Sequence, residues 1–350
     1  MTAEVLNNRL KRANLRIALS PFCNLNCLYC DGPKSRMANK PGAMEDFRRK
    51  PLEAGNISTE ILIQIIEVLH KAGFEGVSFT GGEPLLNKDW DTIVTETAQI
   101  GMSRVEITTN GMLLDTYLQQ KGRMPEGLTL LKVSLDTYDS HRFENLTGGG
   151  KLEKIIGGIT TLKGIQPELR VRANKVLLRS DLSSLIDYLD FCAQNRIDEV
   201  MLLDLVLNNP NDPNERIFFQ REFVPVEETM SILSNQFSIN SFDHNRYGYE
   251  VRLPSGIRVL LKDSNLTLRA EKCFGCPIYC QEGIYTIRVA TDGTITTCPD
   301  RTGKLSFIDG VEALKNGTLL DEINQLATLF ITASQMETLE FFLKKYGIKL

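Results

Sequence analysis

The sequence predicts an α/β fold with a central parallel sheet. From about residue 15 to residue 206, short apolar runs alternate with amphipathic helical stretches, and polar or glycine residues gather at the ends of the apolar runs. Such alternation is typical of parallel strands joined by right-handed crossovers. Six strand–helix units can be counted, two short of a full eight-stranded barrel. The pattern alone therefore fits either a partial barrel or an open doubly wound sheet.

The elements follow from hydrophobic periodicity and turn residues. The predicted strands are Leu15–Ser20, Gly76–Thr80, Arg104–Thr109, Leu131–Leu135, Leu169–Leu177 and Glu199–Val206. Helices are predicted over Ser58–Lys71, Leu182–Gln194 and 226–237, and two more over Val311–Tyr346. We expect residues 32–57 to form a polar mobile loop over the site, and residues 207–225 to be a turn-rich break. The predicted organisation is a barrel domain over 1–206, a linker over 207–248 and a cysteine-rich domain with C-terminal helices over 249–350.

Composition excludes several classes of protein. The net charge of −4 provides no basic field for nucleic acid or membrane surfaces. No apolar run approaches the roughly 20 residues that span a bilayer. The chain begins Met-Thr-Ala-Glu without an apolar signal segment, so we expect a reducing, cytoplasmic location in which cysteines bind metal. Cys192 lies in an apolar helical pattern and is predicted to be a buried core thiol.

Three cysteines follow the first predicted strand with the spacing C-x3-C-x2-C. They are Cys23, Cys27 and Cys30. Thiolates select iron–sulfur clusters, zinc or copper(I). Three ligands leave a four-iron cluster with one iron open to a substrate or cofactor, whereas structural zinc needs a fourth ligand from elsewhere. The spacing alone supports a cluster and a zinc site equally.

A second group of cysteines lies near the C-terminus. It comprises Cys273, Cys276, Cys280 and Cys298. Asp292-Gly293 predicts a hairpin turn between two short β patterns, which would return Cys298 towards the other three. Four clustered cysteines fit either structural zinc or a second iron–sulfur cluster.

Polar and glycine residues at the predicted strand ends indicate a site at the carboxyl edge of the sheet. They are Thr80-Gly81-Gly82-Glu83-Pro84, Thr108-Thr109-Asn110-Gly111, Ser134-Leu135-Asp136, Arg172-Ala173-Asn174 and Asp204. Gly81 and Gly82 allow a ligand to approach the backbone, and Glu83 is expected to accept a hydrogen bond from an ammonium group or to hold the loop. Arg172 is expected to face an anion such as a carboxylate.

Together, C-x3-C-x2-C and Gly-Gly-Glu-Pro at the next strand end resemble the radical S-adenosylmethionine (radical SAM) enzymes, over roughly residues 14–206. The resemblance implies a partial (β/α)6 TIM-like barrel and a [4Fe–4S] cluster on Cys23, Cys27 and Cys30 that binds SAM at its open iron. It also implies reductive cleavage of SAM to a 5′-deoxyadenosyl radical, which abstracts a substrate hydrogen, and an external electron donor such as flavodoxin or ferredoxin. The cofactor-binding residues that it implies are Tyr29, Gly81, Gly82, Glu83, Pro84, Asn110, Ser134 and Arg172.

The cysteine-rich C-terminal segment resembles the Twitch domain, a shortened relative of the SPASM domain. That resemblance implies an auxiliary [4Fe–4S] cluster on Cys273, Cys276, Cys280 and Cys298, with three or four of them as ligands.

Over the whole chain, the sequence resembles the GTP cyclase of molybdopterin synthesis. Arg16 and Arg288 match nucleotide-binding arginines of that family and are candidate substrate residues, and Arg172 matches a lysine on its fifth strand. Ser78 stands where the family has an arginine that reads the triphosphate, and Thr286 stands in place of another arginine. A triphosphate needs several clustered cations, so these departures argue against GTP.

The same architecture resembles maturases of ribosomally made peptides. We therefore expect a precursor peptide as the substrate, modified by cross-linking, epimerisation or backbone excision. Because the first predicted strand begins at Leu15, we expect a separate leader-recognition protein. The alternatives are a GTP cyclase-like or small-molecule tailoring enzyme and, in another class, a non-enzymatic iron–sulfur or zinc protein.

Overall fold

The computed structural model describes residues 13–27, 56–207, 210–245, 248–266, 286–297, 307–331 and 339–349. The fold is mixed α/β with a core of parallel strands, as the sequence predicts. It is consistent with a partial TIM-like barrel, and the sheet is not closed. None of the helices in these ranges combines the length and the apolar content that crossing a bilayer requires.

The strands of the described residues are β1 (Asn14–Ser20), β2 (Gly76–Gly81), β3 (Arg104–Thr109), β4 (Leu130–Ser134), β5 (Arg170–Val176), β6 (Glu199–Leu203), β7 (Asp243–His244), β8 (Gly248–Arg252), β9 (Arg258–Lys262), β10 (Thr286–Val289), β11 (Thr294–Thr296) and β12 (Phe307–Asp309). The helices are α1 (Thr59–Lys71), α2 (Trp90–Ile100), α3 (Leu114–Lys121), α4 (Ser140–Thr147), α5 (Leu152–Ile165), α6 (Leu185–Gln194), α7 (Pro213–Glu222), α8 (Val226–Phe237), α9 (Gly310–Asn316), α10 (Leu319–Ile331) and α11 (Leu339–Lys345).

The chain divides into two compact units. The first comprises residues 1–132, 139–169 and 284–333, and the second comprises residues 133–138, 170–283 and 334–350. In the first unit β10, β1, β2 and β3 are parallel neighbours, and β11 and β12 extend that sheet antiparallel beyond β10. In the second unit β5, β6 and β9 are parallel neighbours, followed by antiparallel β8 and β7.

Alternation along β1 shows how the sequence produces this sheet. Leu15 and Ile17 are fully buried, whereas Arg16 between them is only half-buried. Successive strand side chains point to opposite faces, so one face of β1 packs into the core and the other carries polar groups. Helix α1 buries one apolar stripe, formed by Leu62, Ile65, Ile66 and Leu69. Full burial of each such side chain contributes about 1.5–3 kcal/mol to the free energy of folding.

Two segments differ from the sequence prediction. Helix α7 lies inside the segment predicted to be turn-rich; it begins because the Asp212 side chain accepts a hydrogen bond from Asn214 N (2.8 Å) and Pro213 occupies the first turn. The C-terminal region predicted to hold two helices contains α9, α10 and α11. Gly317 ends α9 in the left-handed conformation, at φ 71°, which explains the additional break.

Candidate active site

The first cysteine loop leaves the carboxyl end of β1. Cys23 and Cys27 are half-buried in this loop, whereas Cys30 and Tyr29 lie outside the described residues. Ser20 shapes the start of the loop, since its Oγ accepts a hydrogen bond from Phe22 N (3.1 Å). Leu25 N donates to Cys23 Sγ (3.4 Å). The loop therefore turns directly after the strand and brings the backbone N–H of Leu25 to the sulfur of Cys23.

The glycine turn after β2 is bonded to the beginning of the cysteine loop. Gly82 N donates to Ser20 O (2.7 Å), and Glu83 N donates to Phe22 O (2.7 Å). A Cβ at Gly82 would lie 2.1 Å from Phe22 O, and Gly81 has a φ of +134° and would place a Cβ 2.5 Å from Ser20 O. Both positions therefore require glycine because the two loops touch backbone to backbone.

Glu83 holds the ends of β2 and β3 together. Its side chain is 1% exposed. Oε1 accepts from Thr109 Oγ1 (2.6 Å) and Leu85 N (3.1 Å), and Oε2 accepts from Asn110 N (2.8 Å). Burial raises the pKa of Glu83, and these donors act in the opposite direction. Of the two roles that the sequence suggested, the structure shows the carboxylate holding the loop.

The cysteine loop is also held from the side of α4. Asn26 N donates to Thr147 O (3.0 Å), and Gly148, which caps α4 at φ +68°, would place a Cβ 2.7 Å from Asn26 O. From β3, Asn110 Nδ2 donates to Asn24 Oδ1 (2.7 Å). The ends of β2, β3 and α4 therefore fix the loop. Apart from the cysteines, the sequence of the loop gives little indication of these contacts.

The donor set fits an iron–sulfur cluster. The described residues contain no group of three or more potential ligands, because the third cysteine of the motif lies outside them. Cys23 and Cys27 are both half-buried at this edge, and Cys23 Sγ receives N–H donors, as cluster sulfurs commonly do. Cys23, Cys27 and, by the motif, Cys30 would hold the cluster.

Arg172 does not lie at the carboxyl end of its strand, and this part of the sequence prediction is wrong. It is the third residue of β5, and its Cα pairs with Glu199 at the beginning of β6. Arg172 Nε donates to Glu199 Oε2 (2.7 Å), so the expected carboxylate belongs to the protein. Strand β5 continues to Val176, four residues further than the arginine. Contact between Arg172 and SAM stays a prediction.

Glu199 is the centre of a buried ion-pair cluster in the second unit. It also accepts from Arg170 Nη1 (3.0 Å) and Arg258 Nη1 (3.2 Å). Burial alone would raise the pKa of Glu199, but Arg172, Arg170 and Arg258 outweigh it and hold the pKa below its ordinary value. The sequence carries no signal for this cluster because Glu199 is 27 or more residues away from each of its arginine partners.

Two further predicted strand-end residues lie in the second unit. Ser134 is the half-buried last residue of β4. Asp204 directly follows β6, and its Oδ2 accepts from Ser264 N (2.9 Å) after β9. Burial raises the pKa of Asp204, against the attraction of Lys262. The ends of β6 and β9, at Asp204 and Lys262, border a cavity of about 930 Å³ with apolar walls that include Phe223 and Leu343.

A row of polar residues crosses the sheet of the first unit at one level. Arg16 pairs with Arg288 on β10 and with Ser78 on β2, and Ser78 pairs with Glu106 on β3. Lys132 donates to Ser78 Oγ (3.2 Å) and forms an ion pair with Glu106. Direct neighbours in a sheet share a face, so the two candidate substrate arginines are side by side. The sequence marked both arginines but not Lys132 or Glu106.

The cysteines of the second group, Cys273, Cys276, Cys280 and Cys298, lie outside the described residues. The hairpin predicted beside them is confirmed: β10 and β11 pair antiparallel. Asp292 Oδ1 accepts from Thr294 N (3.0 Å), and Gly293 has a φ of +85°. Cys192 is fully buried, as predicted, and burial raises its pKa to about 12. An auxiliary cluster stays a prediction.

A parallel α/β sheet with a cysteine loop and a glycine turn at its carboxyl edge defines a cluster-dependent enzyme, and comparison with known proteins identifies the class. The radical SAM superfamily model matches residues 17–179. A probable GTP 3′,8-cyclase of Aeropyrum pernix is 30% identical over 330 residues, covering 92% of this chain and 82% of the relative. The GTP 3′,8-cyclase of Peptoclostridium acidaminophilum is 25% identical over 318 residues, covering 88% and 87%.

Solved structures show the same fold. SuiB of Streptococcus suis, bound to its precursor peptide SuiA, has a TM-score of 0.54 and 17% identity, covering 92% of this chain and 69% of SuiB. The protein anSMEcpe, with bound AdoMet and the Kp18Cys peptide, has a TM-score of 0.53 and 13% identity, covering 95% and 96%. The chain belongs to the radical SAM superfamily. It is therefore an enzyme that uses reductive cleavage of SAM, and a non-enzymatic role is set aside.

The first prediction concerns the glycine turn. In Gly82→Ala the new methyl group would meet Phe22 O at 2.1 Å, so the cysteine loop must shift. Because misplacement by about 1 Å can cost on the order of 100-fold in rate, we expect formation of 5′-deoxyadenosine to fall by about that factor, with unchanged far-UV circular dichroism.

The control for this variant is Gly157→Ala. No heavy atom lies within 4 Å of a Cβ at Gly157, which is inside α5, so this variant should keep full cleavage and gain up to about 1 kcal/mol of stability. Unimpaired SAM cleavage in Gly82→Ala would contradict the proposed contact between the loops.

The second prediction concerns Glu199. Glu199→Ala leaves Arg172 without its carboxylate, so the free energy of unfolding in urea at pH 7 should fall by about 3 kcal/mol. Since the folded-state pKa is below the ordinary 4.5, ionised Glu199 stabilises the fold above about that pH, and the stabilisation is lost as the pH falls through the folded-state pKa. The difference between wild type and variant should therefore shrink in acid.

The matched control is Glu228→Ala, which removes the exposed pair with Arg179 (2.9 Å). Its effect should be about 1 kcal/mol or less. Equal losses in both variants, or a difference from wild type that does not depend on pH, would show that Glu199 is not the centre of the cluster.

Proposed function

We propose that the enzyme abstracts a hydrogen atom from a phosphorylated, nucleotide-like small molecule. The observation that carries this proposal is the register of Arg16 and Arg288, which places two guanidinium groups on adjacent strands and on one face of the sheet. Guanidinium groups bind phosphate oxygens in bidentate fashion. When bound, the cluster supplies the electron that cleaves SAM, and thereby the radical that removes the hydrogen.

The sequence relatives support a nucleotide as the substrate. The row of polar residues around Arg16 argues for a substrate with fewer phosphate charges than GTP carries. The relatives are named GTP 3′,8-cyclases and align over most of their length. At Ser78, however, the positive charge nearby is that of Lys132, which Glu106 already neutralises. Thr286, in place of another arginine, is fully buried. We therefore propose a substrate with one or two phosphates.

A second candidate is a precursor peptide, as the sequence analysis favoured. The cavity of about 930 Å³ at the carboxyl ends of β6 and β9 supports it. Its apolar walls would hold an aliphatic or aromatic side chain, and Asp204 and Asp263 would accept hydrogen bonds from amide or ammonium groups. This candidate requires a leader-recognition partner. An auxiliary cluster on the second cysteine group is proposed with either substrate.

The third prediction tests the choice of substrate. The anaerobically reconstituted enzyme, with dithionite and SAM, is assayed for product with GTP, with guanosine mono- and diphosphate, and with short peptides encoded beside the gene. Arg16→Ala and Arg288→Ala should each lower nucleotide turnover about tenfold or more, because a charge-assisted hydrogen bond contributes ~1.5–3 kcal/mol. Substrate-free SAM cleavage should persist in both variants.

The exposed Arg123→Ala is the control and should leave turnover unchanged. A product formed only with a peptide, and unaffected by Arg16→Ala, would overturn the first candidate in favour of the second. Cys23→Ala and Cys27→Ala should abolish SAM cleavage with every substrate.

A further inference from the structure

The side chain of Asn110 contacts the cysteine loop at the sulfur of Cys23. Asn110 Nδ2 lies 3.7 Å from Cys23 Sγ, within hydrogen-bonding distance for sulfur, and 2.7 Å from Asn24 Oδ1. Among the described residues, a second N–H donor to this sulfur is Leu25 N, at 3.4 Å. Leu25 belongs to the loop itself, whereas Asn110 reaches the sulfur from the end of the third strand.

The orientation of this amide is fixed by the groups around it. Asn110 Oδ1 accepts from Met112 N (3.0 Å), a bond that only the oxygen can make. Asn110 N donates to Glu83 Oε2 (2.8 Å), and the same carboxylate accepts from Thr109 Oγ1. The –NH₂ group must therefore face Asn24 and Cys23. A buried carboxylate thus aims an amide donor at a cysteine of the motif.

We propose that Asn110 is a positioning residue that holds the Cys23 thiolate and, through this hydrogen bond, raises the reduction potential of the cluster. An N–H donor at a ligand sulfur stabilises the more negatively charged, reduced state of a cluster. This role differs from the direct contact with SAM that the family resemblance implies. It rests on the radical SAM assignment and is independent of the substrate.

The test is a redox titration of the reconstituted enzyme, followed by electron paramagnetic resonance. The signal of the cluster on the first cysteine loop is identified by its change when SAM is added to a matched sample. Asn110→Asp keeps an oxygen for Met112 N but removes the donor and places negative charge near the sulfur. Its potential should be more negative than that of wild type. Asn110→Ser, which removes the donor without adding charge, should shift the potential in the same direction by less.

The control is Asn195→Ala, which removes an asparagine amide that donates to Phe191 O (2.8 Å) at the end of α6; its potential should equal that of wild type. Equal potentials in wild type and Asn110→Asp, at equal iron content, would overturn the proposal. If Asn110→Asp loses its iron, the potential of Asn110→Ser is compared with that of wild type instead, and equal potentials would again overturn the proposal. Loss of iron in both, with retention in Asn195→Ala, supports the positioning of Cys23.

Discussion

The site depends on two backbone hydrogen bonds, from Gly82 N to Ser20 O and from Glu83 N to Phe22 O, each 2.7 Å long. They join the end of β2 to the loop after β1, and they form only because neither Gly81 nor Gly82 carries a Cβ. A cluster-binding loop must hold several thiolates at fixed separations before metal arrives, and a loop bonded only to itself would have to be ordered by the metal. Here the neighbouring strand end supplies that order.

The side chains of Glu83 and Asn110 add further contacts that hold the cysteine loop in place. Glu83 is buried, and it satisfies its carboxylate entirely with donors from the ends of β2 and β3. A buried carboxylate is costly unless it is hydrogen-bonded, so the arrangement is stable only when both strand ends are in place. Asn110, at the end of β3, hydrogen-bonds Asn24 and Cys23, so the position of β3 determines where these two residues lie. The motif glutamate thus acts on the cysteine loop through another residue.

The sequence predicted the parts whose chemistry needs particular residues at short spacing. The described part of the cysteine loop, as far as Cys27, the glycine turn and strands β1 to β6 all lie where expected, within a few residues. It could not predict which charged residues would meet across the sheet. Arg172 was expected to contact a ligand at the rim, but its partner Glu199 is 27 residues away and is brought opposite only by the register of β5 and β6. Ser78, Glu106 and Lys132 meet for the same reason. The sequence does not predict helix α7 because its residues, PNERIFFQRE, lack an apolar stripe.

The coupling between the cysteine loop and the glycine turn can be measured in a crystal structure of the anaerobically reconstituted enzyme with SAM, with diffraction recorded at the iron absorption edge. We expect iron density bonded to Cys23 and Cys27. The hydrogen bonds from Gly82 to Ser20 and from Glu83 to Phe22 should be retained, and Glu83 should still be bonded to Thr109 and Asn110. Zinc in place of iron, or a Glu83 released from β3 on loading, would contradict this expectation.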